Sequence, residues 1–260
     1  MSSNNSATTF WDHLDQLRSV LIRIVVAVAV AAIVLFTFKE ELFTIIFAAQ
    51  NSDFITYQLL DYISFLINAE TAQTTNFSVE LINTQLTQQF TTHITVAMWG
   101  GFLLIFPYIL FEIFRFISPA LYSHERRYTS RIVVCGYFMF IVGVALSYFL
   151  VFPLTFRFLA TYQVSSSVAN MIALESYIGT LVTLCLMMGI LFELPILSWL
   201  FAKLGLLTAS FMRNYRRHAI VVLLTISAVI TPTADIVTLL LVALPIYALY
   251  EFSILIVGRV

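Results

Sequence analysis

The chain has 260 residues, of which 60% are hydrophobic and 10% charged, with a formal net charge of −1. Soluble domains carry about 25% charged and about 45–50% apolar residues, so a water-soluble fold is excluded. Thirteen Lys and Arg against fourteen Asp and Glu give no overall basic field, which excludes nucleic-acid binding through a basic face. The expected class is an all-α polytopic membrane protein, residues 1–260 forming a single membrane domain.

A spanning helix needs about 20 mostly apolar residues. The first such run is 20–38, interrupted by Arg23 near its start. It is too long for the apolar core of a cleaved signal peptide, about 7–15 residues, so it is read as a retained span. Residues 39–93 form a long outer loop rich in Asn, Gln, Thr and Ser, with acidic Asp53, Asp61, Glu70 and Glu80. Within it, FITYQLLDYISFLINA spaces aromatic and aliphatic residues as a helix does, predicting an amphipathic helix at the interface or capping the bundle. The second run is 94–116, with Pro107 inside; the third, 132–152, is expected to stop at Pro153; the fourth, 174–201, contains Glu193 and Pro195.

The last apolar region is split by TPTAD at 231–235. Pro232 ends a helix there and Asp235 caps the next, which predicts two short spans, 217–231 and 236–256. The expectation is therefore six spans with both termini on one side. That side receives Arg18, Arg23, Arg115, Arg126, Arg127, Arg131, Lys203, Arg213, Arg216, Arg217 and Arg259, and the other receives Lys39 and Arg157. Eleven basic residues against two place the termini in the cytoplasm. Cys135 and Cys185 both lie inside apolar runs, which is no disulfide framework.

Three segments carry polar chemistry beyond topology. In DHLDQLRSVL at 12–21, Asp12 and Asp15 fall early in a helix with Arg18 a turn later, a spacing that suits the helix dipole and i,i+3 pairing or an ordinary amphipathic lead-in to the first span. In the loop FRFISPALYSHERRYTSR at 114–131, topology explains the arginines but not Glu125 beside them, nor Phe116 at the water boundary. These residues suit a cationic, partly apolar peptide, and equally interfacial anchoring. Glu193 in LFELPIL lies well inside the membrane, where a carboxylate costs about 2.5–3.5 kcal/mol on insertion scales and is by default a functional-site candidate. Pro195 beside it removes a backbone donor and bends the helix. A structural, hydrogen-bonded carboxylate is the competing reading.

No phosphate-binding loop, HExxH or GxSxG is present, and no cofactor motif. From the residues alone, the alternative function is a proton-coupled small-solute carrier using Glu193 as its proton site.

The segments HLDQLR at 13–18, FISPALYSHERR at 116–127, YFLVFP at 148–153, FELP at 192–195, ITPTAD at 230–235 and ALPIYALYE at 243–251 resemble, in this order, the TatC family of multispanning receptor subunits of the twin-arginine protein translocase. The resemblance covers nearly the whole chain. It implies six spans with short fifth and sixth helices around a concave bundle in a bacterial-type inner membrane, and no enzymatic activity. It implies twin-arginine signal peptides of folded cargo as ligands, TatA/TatB-type single-span subunits as partners, assembly with further copies in a receptor complex, and transport driven by the proton-motive force. Glu125 matches the loop glutamate associated with the arginine pair, Phe116 the aromatic before it and Arg18 the signature arginine. Asp15, Gln16 and Arg126 belong to the same two peptide-binding motifs, and Glu193 matches the intramembrane glutamate linked to partner contact. Pro119, Pro153, Pro195, Pro232 and Asp235 fall in the motifs as structural positions. One departure is chemical: Gln16 stands where the signature has glutamate, so a second acidic contact to the arginine pair would come from Asp12 or Asp15.

Overall fold

The computed structural model describes residues 10–51, 53–66, 80–117, 129–163, 165, 170–231 and 235–259. Pro119, Glu125, Arg126 and Pro232 lie outside the described residues. Helix α1 (Phe10–Phe36) carries the amino-terminal motif and the first span as one continuous helix. The following loop holds more structure than its polar composition predicts: α2 (Lys39–Ala48), α3 (Ile55–Leu66) and the two-residue strand β1 (Leu81–Ile82). Glu40 and Glu41 sit in the first turn of α2, where the helix dipole favours acids. Helix α4 (Gln88–Ile117) has 30 residues, about 45 Å at 1.5 Å per residue.

The third span departs from expectation. It does not stop at Pro153 but runs as α5 (Thr129–Leu146), a π-helical turn over Ser147–Val151 and α6 (Phe152–Thr161). Pro153 has no N–H to give the Phe149 carbonyl. The Thr56 hydroxyl, from α3, donates to that carbonyl instead. The wide turn and an outside donor together carry the helix past its proline.

Strand β2 (Ile172–Ala173) pairs in parallel with β1, Leu81 opposite Ile172, and so ties the connection before α4 to the one before α7. Helices α7 (Leu174–Leu191) and α8 (Leu194–Lys203) form the fourth span, broken at Phe192–Glu193 because Pro195 cannot serve the Leu191 carbonyl. After α9 (Ala209–Asn214) come α10 (Arg216–Ile230) and α11 (Ile236–Val257).

Among the described residues five helical stretches are long and apolar enough to cross a membrane: Leu14–Phe36, Gln88–Phe116, Ile132–Thr161, Leu174–Lys203 and Ile236–Val257. Helix α10, 15 residues long, is the short fifth of six spans. Helix α11 reaches 22 residues, running to Val257 with Pro245 accommodated inside and Glu251 as its one charged residue. At its start the Asp235 carboxylate accepts the Thr238 N–H at 2.8 Å.

Apolar side chains gain little by leaving lipid for protein, so the spans are held by close packing. At Gly101 of α4 a Cβ would lie 2.8 Å from the Ala32 backbone nitrogen of α1, so these two helices touch backbone to backbone. The main core gathers Leu184 and Met188 of α7 with Val242 and Ile246 of α11, all fully buried. The end of the bundle away from the start of α1 is closed by tyrosines that satisfy the last carbonyls of α2. Tyr148 donates to Ile45, Tyr177 to Ile46 at 2.8 Å, and the Tyr57 hydroxyl lies 3.2 Å from both the Ala49 and Pro153 oxygens. The amphipathic segment after residue 53 is thus a cap on the bundle.

Candidate functional site

The packing of α1 on α4 brings residues about a hundred positions apart into one cleft of about 410 Å³, at the end of the bundle from which α1 starts. Asp15, Gln16 and Arg23 of α1 line it, with Glu112, Arg115 and Phe116 of α4. Three residues singled out in the sequence, Asp15, Gln16 and Phe116, therefore share one surface. Pro119, Glu125 and Arg126 follow Phe116 in the sequence and lie outside the described residues.

Arg18 lies outside the cleft lining, on an exposed face of α1. No ion pair joins it to Asp15 among the described residues. Both side chains are exposed, where water solvates each charge nearly as well as a partner would and a pair is worth about 0–1 kcal/mol. The expected i,i+3 pairing is therefore not made.

The sequence reading missed the most deeply buried charge in the cleft. Glu112 is 2% exposed. Its Oε2 is paired with Arg23 Nη2 at 3.0 Å, its Oε1 lies 3.9 Å from Arg115 Nη1, and Tyr108 donates a hydroxyl to Oε1 at 3.1 Å. Oε2 receives Arg23 as an ion pair without a directed hydrogen bond. Glu193 is thus not alone as an acid buried within a span. The signal that could have found Glu112 is depth: Arg23 lies just inside the start of the first span and Glu112 just inside the end of the second, so antiparallel packing sets them at the same level.

Glu193 sits in the break between α7 and α8 and is 6% exposed, with no hydrogen-bond partner for Oε1 among the described residues. It is accommodated because α5 carries glycine opposite: a Cβ at Gly136 would lie 3.1 Å from Glu193 Oε2 and 2.9 Å from Leu110 Cδ1. Its backbone carbonyl accepts from Ile196 and Leu197 at 3.0 and 2.9 Å, so the break is well bonded while the carboxylate keeps unused acceptor capacity. Elsewhere, Arg216 pairs with Glu251 at 2.7 Å, and Tyr247 donates to the same carboxylate at 2.9 Å, tying the start of α10 to α11. Among the described residues no group of three His, Cys, Asp or Glu could hold a metal ion.

The chain matches the family model for the Sec-independent protein translocase protein (TatC) over residues 12–245. It is 36% identical over 257 residues to the TatC of Blattabacterium sp. subsp. Periplaneta americana (strain BPLAN), covering 98% of this chain and 96% of that one. It is 34% identical to the TatC of Deinococcus radiodurans, over 96% of this chain and 85% of the relative. Among solved structures, the crystal structure of a twin arginine translocase receptor, TatC, superposes with a TM-score of 0.74 at 31% identity, over 95% of this chain and 98% of that one.

Proposed function

The chain belongs to the TatC family of Sec-independent protein translocase proteins, a translocase component rather than an enzyme, and on that footing we propose that it binds the twin-arginine region of signal peptides on folded cargo at its cytoplasmic face. The observation that carries this reading is the cleft between α1 and α4, which joins Asp15 and Gln16 to Phe116, nine residues ahead of Glu125 in the sequence. A carboxylate takes a guanidinium through two parallel charge-assisted hydrogen bonds, and lysine cannot reproduce that fork. An aromatic face beside it stacks on the cation or holds the apolar part of the peptide.

In the same reading Glu193 offers a polar contact to a single-span TatA/TatB-type helix, where burying an unsatisfied group in hydrocarbon is costly. The unfilled acceptor on Oε1 supports this. The protein then works with further copies in the bacterial inner membrane, termini in the cytoplasm, and draws on the proton-motive force through the assembled translocase. Family membership favours this function over the solute-carrier alternative.

The test is equilibrium binding of a fluorescent twin-arginine signal peptide to the purified protein, against a twin-lysine peptide. Wild type should prefer the arginine peptide by about tenfold or more, and Glu125→Ala should lose that preference. Equal binding of both peptides to wild type would refute the assignment.

A further inference from the structure

We infer that Glu112 is the second carboxylate that reads the arginine pair, and that Arg23 holds its place as an internal stand-in for a ligand guanidinium. The inference rests on the receptor reading above and adds to it a specificity-determining residue. Two arginines offered together need two acids for full pairing, and Gln16 carries no charge. Asp15 in the same cleft is exposed, so water competes for it. Glu112 is the buried acid of the cleft, where a guanidinium is worth more than in water.

The structure contains the interaction itself: a guanidinium sits on this carboxylate at 3.0 Å. It sits loosely, since Oε2 receives no directed hydrogen bond from it and the Arg23 side chain is 46% exposed. Tyr108 fixes the other oxygen, so the carboxylate keeps its orientation while its partner changes. The exchange is electrostatically neutral. A buried carboxylate left alone is costly, but a ligand arginine arriving as Arg23 leaves never exposes it to that state. Arg23, at the start of its span, reaches the interface on its own aliphatic stem. A ligand lysine fills the charge but not the fork, so Glu112 contributes to discrimination as well as to affinity.

The experiment compares binding of twin-arginine and twin-lysine peptides by the full chain and by Glu112→Gln, Arg23→Met, the double variant Arg23→Met/Glu112→Gln, and Glu125→Ala. Glu112→Gln should bind the arginine peptide about tenfold more weakly, the loss of about one charge-assisted contact, with a smaller arginine-over-lysine ratio. Arg23→Met should bind it more tightly than wild type. The double variant leaves no buried charge without a partner, so its folding is protected, and it should stay as weak as Glu112→Gln. Recovery of wild-type affinity and ratio in the double variant would show that Glu112 merely neutralises Arg23 and would overturn the inference. So would wild-type behaviour of Glu112→Gln alongside loss in Glu125→Ala, which would leave the receptor reading standing. Absence of any arginine preference in wild type would overturn both.

Discussion

At position 136 the fold leaves no room for a side chain, because Leu110 and the Glu193 carboxylate already occupy the space a Cβ would take. Gly136→Val should therefore destabilise the protein by about 1–3 kcal/mol, the range for overpacking a filled site, read as a lowered thermal midpoint in detergent. Glu193 itself was legible in the sequence, since a carboxylate ahead of a proline in an apolar run stands out one residue at a time. Glu112 was not. It lies in FEIFR at the end of a span, where a charge near the interface attracts no notice. Its meaning comes from Arg23, 89 positions earlier, and only the packing of α1 on α4 makes them neighbours. Positional reading finds isolated charges in membranes and overlooks pairs.

Short elements fared as their physics suggests. The amphipathic α3 was visible by its periodicity, whereas α2 was hidden by its 10-residue length inside a stretch otherwise polar. The β1–β2 contact joins two residues from each of two distant loops, a pairing no local pattern encodes. Pro153 was misread as a stop because the sequence does not reveal that Thr56 supplies the missing donor.

That cap has a pH signature. Burial pushes the Tyr57 hydroxyl up to about 12, with Arg157 acting weakly the other way. In the unfolded chain the phenol ionises near 10, so the neutral form is the one the fold favours. Its contribution is complete below about pH 10 and is lost as pH rises through about 12. Tyr57→Phe, which gives up the bonds to Ala49 and Pro153, should melt below wild type at pH 8. The two midpoints should converge between about pH 10 and 12.

The whole molecule divides its work between its ends. At one end, tyrosines, α2, α3 and the strand pair close the bundle; at the other, where α1 starts, lies the α1–α4 cleft. The six-span architecture was legible because lipid imposes length and apolarity on each crossing. The cleft was legible only in part, since Asp15, Gln16 and Phe116 belong to motifs while the charges between them do not. The central claim is that the arginine pair of a signal peptide lies in this cleft. Photo-crosslinking tests it most directly, with a photoreactive side chain at Gln16 of the cleft or, as control, at Leu255, an exposed apolar position of α11. The account predicts capture of a twin-arginine peptide from position 16, beside the arginines, displaced by unlabelled twin-arginine but not twin-lysine peptide, with little capture from position 255. Equal capture from both positions, or equal displacement by both peptides, would contradict it.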